Sequence, residues 1–147
     1  MNARRYVARQ LLLSLVLLVA LAATAGASSR TPVTLTVTTP VLGGPGTFVA
    51  DGVVCPDGTT SDVAFTTGGG NVAIYHSDKT FVCTDGSGTF TIKLTASRFA
   101  GVPGTTGTWK VATGTGAYAS LKGSGKLVGT DLPGGGITDV FTGKVSL

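Results

Sequence analysis

The chain alternates. Across 31–39, Val33, Leu35 and Val37 fall on one side and Thr34, Thr36 and Thr38 on the other. A period of two predicts a half-buried strand. The same pattern returns over 89–96, where Phe90, Ile92 and Leu94 oppose Thr89, Thr91, Lys93 and Thr95. It returns again over 137–147, where Ile137, Asp139, Phe141, Gly143 and Val145 share a face. Shorter strands are predicted over 47–55, 62–67, 71–76, 79–84, 108–113 and 125–130. In the fifth of the nine, 79–84, Phe81 and Cys83 point the same way.

Turn chemistry separates these runs. Gly43-Gly44-Pro45-Gly46, Pro56-Asp57-Gly58, Gly68-Gly69-Gly70, Ser77-Asp78, Asp85-Gly86-Ser87-Gly88 and Pro133-Gly134-Gly135-Gly136 all stand between apolar stretches. Proline presets φ and glycine accepts φ > 0, so each marks a reversal. Asp51-Gly52 predicts a bulge or bend. Eight or nine short strands with frequent turns predict an all-β domain, either a barrel or a sandwich.

One stretch breaks the pattern. Between two strand-like runs, Gly114 to Gly123 reads GTGAYASLKG. It predicts one short helical turn over 117–122, with Gly123 as its C-terminal cap. Tyr118 and Leu121 are three apart and fall on one face of that turn. The turn is placed to plug the end of a barrel or fill a corner between sheets.

The first 27 residues belong to a different category. Arg4, Arg5 and Arg9 precede an apolar run from Leu11 to Ala22, and Ala25-Gly26-Ala27 follows. Basic, apolar and small-residue regions in that order are the layout of a secretory signal peptide. The apolar run is short for a membrane span, which needs about 20 residues. The expected division is a signal peptide over 1–27 and a secreted β-barrel domain over 28–147. Arg4-Arg5 as a twin-arginine signal is the weaker alternative, since Tyr6-Val7-Ala8 continues it poorly.

This division changes the charge. The whole chain has eleven Lys and Arg against seven acids, a net of +4. Residues 28–147 retain eight against the same seven, a net of +1. The basic balance therefore belongs to the targeting segment and argues for no nucleic-acid partner and no membrane partner after signal removal. All seven acids are Asp. Residues 28–147 also hold 22 of the 23 glycines, which favours strands and tight turns over helices.

Cys55 and Cys83 are the two cysteines. In an exported chain an even pair predicts one disulfide, worth about 3–4 kcal/mol for a loop of this length. There is no CxxC, so no metal site and no cofactor is expected from them.

The string Gly114-Thr115-Gly116-Ala117-Tyr118-Ala119-Ser120-Leu121-Lys122-Gly123-Ser124-Gly125, followed by a strand and Phe141-Thr142-Gly143-Lys144-Val145, resembles the allene oxide cyclase and dirigent-like barrels. Cys83 to Phe90 and Gly107-Thr108-Trp109 also resemble small secreted bacterial proteins of the same type. The resemblance covers about the last 65 residues. It implies a single antiparallel barrel of about eight strands. The chain contains no glutamate, so the cyclase catalytic residue has no counterpart, and no catalytic residue is carried over.

No catalytic constellation stands out. His76, the single histidine, precedes Ser77-Asp78 and is expected as an exposed turn residue. Asp139 shares its face with Ile137 and Phe141. The simpler expectation is an exposed acid at a strand end; the sharper one is an acid at a barrel mouth that meets a ligand. Trp109, Tyr118 and Phe141 are ligand-lining candidates with Asp139, and core residues otherwise. Three functional expectations follow: a secreted non-enzymatic barrel binding a small apolar ligand or an extracellular surface; a secreted isomerase or cyclase using Asp139 and Tyr118; or a structural cell-surface domain with a filled core.

Overall fold

The computed structural model describes residues 29–147 and holds eight strands in one closed antiparallel barrel. They are β1 (Thr31–Thr39), β2 (Gly46–Asp51), β3 (Asp57–Gly69), β4 (Val72–Cys83), β5 (Thr89–Phe99), β6 (Thr105–Gly114), β7 (Lys122–Asp131) and β8 (Ile137–Ser146). Each strand pairs with its sequence neighbour, and β8 returns to pair with β1. The barrel reading therefore stands and the sandwich alternative falls. The signal-peptide expectation for 1–27 lies outside the described residues.

The alternation read in β1, β5 and β8 is the inside–outside alternation of the wall. Val33, Leu35 and Val37, then Phe90 and Ile92, then Phe141 and Val145, all point inward and are buried. The threonines between them face out. Aromatic rings fill the middle. Phe81 and Phe90 stack with centroids 4.6 Å apart, and Phe48 meets Phe81 edge-on at 5.1 Å. Trp109 meets Phe141 edge-on at 6.5 Å and donates its Nε1–H to the Lys126 carbonyl at 3.1 Å. A buried indole nitrogen needs such a partner.

One end of the barrel is shut. There the chain crosses between β2 and β3, between β4 and β5, and between β6 and β7. Cys55 and Cys83 form the predicted disulfide at this end. A 3-10 turn (Gly116–Tyr118) folds over it, placing Tyr118 and Leu121 inward and buried. Tyr118 packs edge-on against Phe90 at 5.5 Å, and its hydroxyl shares a 3.1 Å hydrogen bond with Ser87 Oγ. The turn is shorter than predicted and starts one residue earlier. Gly123 is not its cap: it lies within β7, where Val145 leaves no room for a side chain.

Several boundaries differ from the sequence reading: β5, β6 and β7 run longer than predicted, and three differences change the picture. Residues 71–76 and 79–84 are not two strands but one, β4, so Ser77-Asp78 is no turn. The long ladder with β5 explains why: Asp78 pairs with Lys93, and their side chains approach to 3.4 Å on the outer surface. His76 consequently sits in mid-strand, half-buried, with its Nδ1 3.3 Å from Thr95 Oγ1. Lastly, β2 stops at Asp51, because Gly52 bends with φ of +132°, and β3 begins at Asp57, inside the predicted Pro56-Asp57-Gly58 turn.

Candidate functional site

The other end is open. Here β3, β5 and β7 finish and β2, β4, β6 and β8 begin. A cavity of about 270 Å3 enters the lumen from this mouth, above the aromatic layer. Leu42 and Ile137 line it near the mouth, and Leu94 and Leu127 line it lower down, opposite Trp109 and Phe141. The floor is polar as well. Asp62, Ser77, Lys79 and Asp139 line it, with Thr39 and Thr105 nearer the rim.

Strand register explains the floor. Asp62 on β3 stands directly opposite Lys79 on β4. Both occupy inward positions, so the pair is carried inside. Lys79 is 2% exposed and its Nζ donates to Asp62 Oδ2 at 2.5 Å. Ser77 Oγ donates to Asp62 Oδ1 at 2.8 Å. Both Asp62 oxygens are thereby occupied. An ammonium as buried as Lys79 costs several kcal/mol to desolvate and persists only when paired in this way.

Asp139 faces this group from β8, which stands four strands from β4 and so across the lumen. It is 9% exposed. Its neighbour on β7 is Gly129, and the absence of a side chain there is required. A Cβ on Gly129 would lie 2.5 Å from Asp139 Oδ1 and 2.2 Å from Thr105 Oγ1. The carboxylate and the hydroxyl thus share the space that the glycine leaves. Burial pushes the Asp139 carboxyl up to about 6; the Lys79 ammonium pulls it back down, and the Asp62 carboxylate adds to the rise. Desolvation is the largest of these causes, as expected for an acid in a mostly apolar cup.

Two buried hydroxyls in this region stand without a hydrogen-bond partner, Thr39 Oγ1 and Thr60 Oγ1. Thr39 is 2% exposed and lines the cavity. Both lie within 3.0 Å of the point where a Cβ on Gly46 would sit. A buried hydroxyl without a partner is costly and marks a place where a bound molecule or water would be stabilised.

The rim carries a second ion pair. Arg98 on β5 reaches across β6 to Asp131 on β7 in a two-pronged contact, its Nη1 2.9 Å from Asp131 Oδ2. The Gly104 N–H donates to the same oxygen at 3.0 Å. These bonds, Arg98 first and Gly104 second, hold the Asp131 carboxyl below the usual carboxylate range. They pin the loop between β5 and β6 beside the mouth.

The sequence candidates divide between the two ends. Asp139 lines the cavity, and the expectation of an exposed strand-end acid is corrected: the β7 glycine and the β8 register carry it inside. Trp109 and Phe141 lie in the aromatic layer below, and Tyr118 belongs to the shut end. Asp139 and Tyr118, paired above as enzyme candidates, are therefore separated by the barrel core. Asp62 and Lys79 were not singled out from the sequence. A signal existed for Lys79, since Phe81 and Cys83 face inward and period two carries Lys79 and Ser77 with them. Asp62 had none, because its place depends on the pairing register.

A wider cleft of about 630 Å3 lies at the open end, between the β3–β4 hairpin tip and the β5–β6 loop, and shares Thr66 and Arg98 with the lumen cavity. Arg98 is its single ionisable wall residue, so it offers no chemistry comparable with the lumen. Among the described residues no three His, Cys, Asp or Glu side chains gather closely enough to hold a metal ion. No family model, no curated protein and no solved structure matches the chain.

Proposed function

We propose that this protein is a secreted binding barrel that takes a small molecule into the open end of its lumen. The observation that carries the reading is the cavity itself. A barrel of eight strands is just wide enough to be filled by its own side chains or to hold one small ligand. This one is filled at one end and left open at the other. A volume of about 270 Å3 exceeds the roughly 150 Å3 apolar cavity that accommodates one benzene.

Export fits the same reading. The disulfide is buried at the shut end, and such bridges persist in oxidising surroundings. Among the described residues no helix is long and apolar enough to cross a membrane. The leader pattern over 1–27 supplies the route. The shape agrees with the barrel that the allene oxide cyclase and dirigent resemblance implies, which bears on fold and not on activity.

Native mass spectrometry of the protein purified from its own culture medium tests this directly. The expected result is a bound small molecule, lost in an Ala64→Phe variant that blocks the mouth. Ala64 is exposed and lines the cavity, so the replacement leaves the core alone. No bound species, together with no chemical-shift change at Leu94, Leu127 or Ile137 on titration with indole or 2-phenylethanol, would leave the structural role as the better reading.

A further inference from the structure

The mouth of the barrel holds more negative than positive charge. Lys79 and Arg98 are its cations; Asp62, Asp131 and Asp139 are its carboxylates. Arg98 and Asp131 are paired at the rim, and Lys79 is bound to Asp62 on the floor. Asp139 is the carboxylate left over. An anionic ligand would enter against a net negative floor. A ligand with one positive charge would bring the floor to neutrality.

The acceptors around Asp139 give that charge a shape. Asp139 Oδ1 and Thr105 Oγ1 flank the bare backbone of Gly129. Thr39 lies on the neighbouring strand β1, two residues beyond the Val37 that pairs with Asp139, and so diagonal to it on the inner face. Thr39 lines the cavity, and its hydroxyl is buried without a partner. Asp139 and Thr105 thus flank Gly129 from β8 and β6, with Thr39 next to them on β1. A primary ammonium has three N–H donors and no acceptor. The cavity beside these groups has apolar walls at Leu94, Leu127 and Ile137 and is large enough for about one ring with a short side chain.

We propose that the ligand is a small primary amine with an apolar body, its ammonium held by Asp139 with the Thr39 and Thr105 hydroxyls and its body against Leu94, Leu127 and Ile137. This rests on the binding reading above and names the ligand class for the same site. Binding of this kind depends on pH. The groups that face Asp139 are Lys79 from β4, Asp62 from β3, Thr105 from β6 and Thr39 from β1. Tyr75, Arg98 and Asp131 stand nearer the rim. With Asp139 pushed up to about 6, its carboxylate is formed at pH 7.5 and is mostly protonated at pH 5. The amine stays charged over that range, so the site releases it on acidification.

Three compounds of one shape test the assignment: 2-phenylethylammonium, 2-phenylethanol and 3-phenylpropionate, titrated calorimetrically into the purified protein with its disulfide intact. At pH 7.5 the amine is expected to bind about tenfold or more tightly than the alcohol, and the carboxylate not at all. From pH 7.5 to 5 the amine affinity falls about tenfold, following the ionised fraction of Asp139. Asp139→Asn abolishes both the preference for the amine and its pH profile, while near-UV circular dichroism reports an unchanged fold. Thr39→Val weakens the amine and leaves the alcohol's affinity unaltered. Equal binding of amine and alcohol, tighter binding of the carboxylate, or an amine preference that survives Asp139→Asn each overturns the assignment while leaving the binding reading intact. If none of the three binds and the native protein also carries nothing, both fall.

Discussion

The two ends of this barrel are made from the same alternating strands and came out as opposites. At the shut end the inward positions are Val33, Cys55, Cys83, Tyr118, Leu121 and Val145, sealed by a disulfide and a 3-10 turn. At the open end Leu94, Leu127 and Ile137 are joined by Thr39, Asp62, Ser77, Lys79, Thr105 and Asp139. Hydrophobic burial holds the first together and needs no partner from outside. The second buries charge, leaves hydroxyls unpaired and so carries a cost that the first half must offset. The lesson is a division along one axis, with an apolar, sealed end opposite an open end lined with charge; the proposed binding belongs to the second.

This division is open to attack at several points. The largest effects belong to the shut half and the middle layer. Phe81→Ala, at a fully buried ring stacked on Phe90, is expected to cost about 3–5 kcal/mol of unfolding free energy by chemical denaturation. Replacing both Cys55 and Cys83 by Ala is expected to cost about 3–4 kcal/mol. Neither change alters a group in the mouth.

Next comes Asp139, where the sign is reversed. The carboxyl is raised from 3.8 to about 6 in the folded protein, so the folded state binds a proton that the unfolded state has released. Stability from this group is present at low pH and is lost as pH rises from about 4 through about 6. Above that window the ionised acid costs up to about 3 kcal/mol. Asp139→Asn should therefore stabilise the empty protein at pH 8 and leave it almost unchanged at pH 4. A variant less stable than the parent at pH 8 would show that Asp139 supports the fold, and the contrast between the ends would fail there.

Smaller effects sharpen the picture. Tyr118→Phe removes one hydrogen bond, to Ser87, and should cost about 1 kcal/mol with no change in ligand affinity. Loss of affinity in that variant would connect the two ends. Thr39→Val should be neutral or slightly stabilising in the empty protein, within about 1 kcal/mol, because it removes a buried hydroxyl that has no partner.

The sequence made the shut half easier to read than the open one, for a physical reason. Its residues announce themselves one by one: Phe90 and Ile92 alternate with threonines, Tyr118 stands in a glycine-framed insert, and two cysteines imply each other. The open half is written in relations between strands. Asp62 becomes the partner of a buried ammonium because it falls opposite Lys79, and that register is set by the tight turn at Gly70-Asn71. Ser77-Asp78 carried turn chemistry of its own, and the ladders on both sides of β4 overrode it. Asp139 was placed on the inner face by period two, yet its burial depended on Gly129 being bare. Local pattern reaches the face of a strand; it does not reach what stands across the lumen.

The pairing of β8 with β1 has a consequence in time. Nine positions of the first strand, from Thr31 to Thr39, are matched by residues of the last. As the chain is delivered from its N-terminus, β1 exists long before its second neighbour does. Until β8 arrives it is an unpaired edge rich in valine and threonine, the kind of surface that other extended chains add to. Contacts between segments so distant in sequence form slowly, since the loop they close is nearly the whole domain. The same seam that gives the finished barrel no free edge is thus the last to close, and the interval before closure is when this protein is most exposed to aggregation.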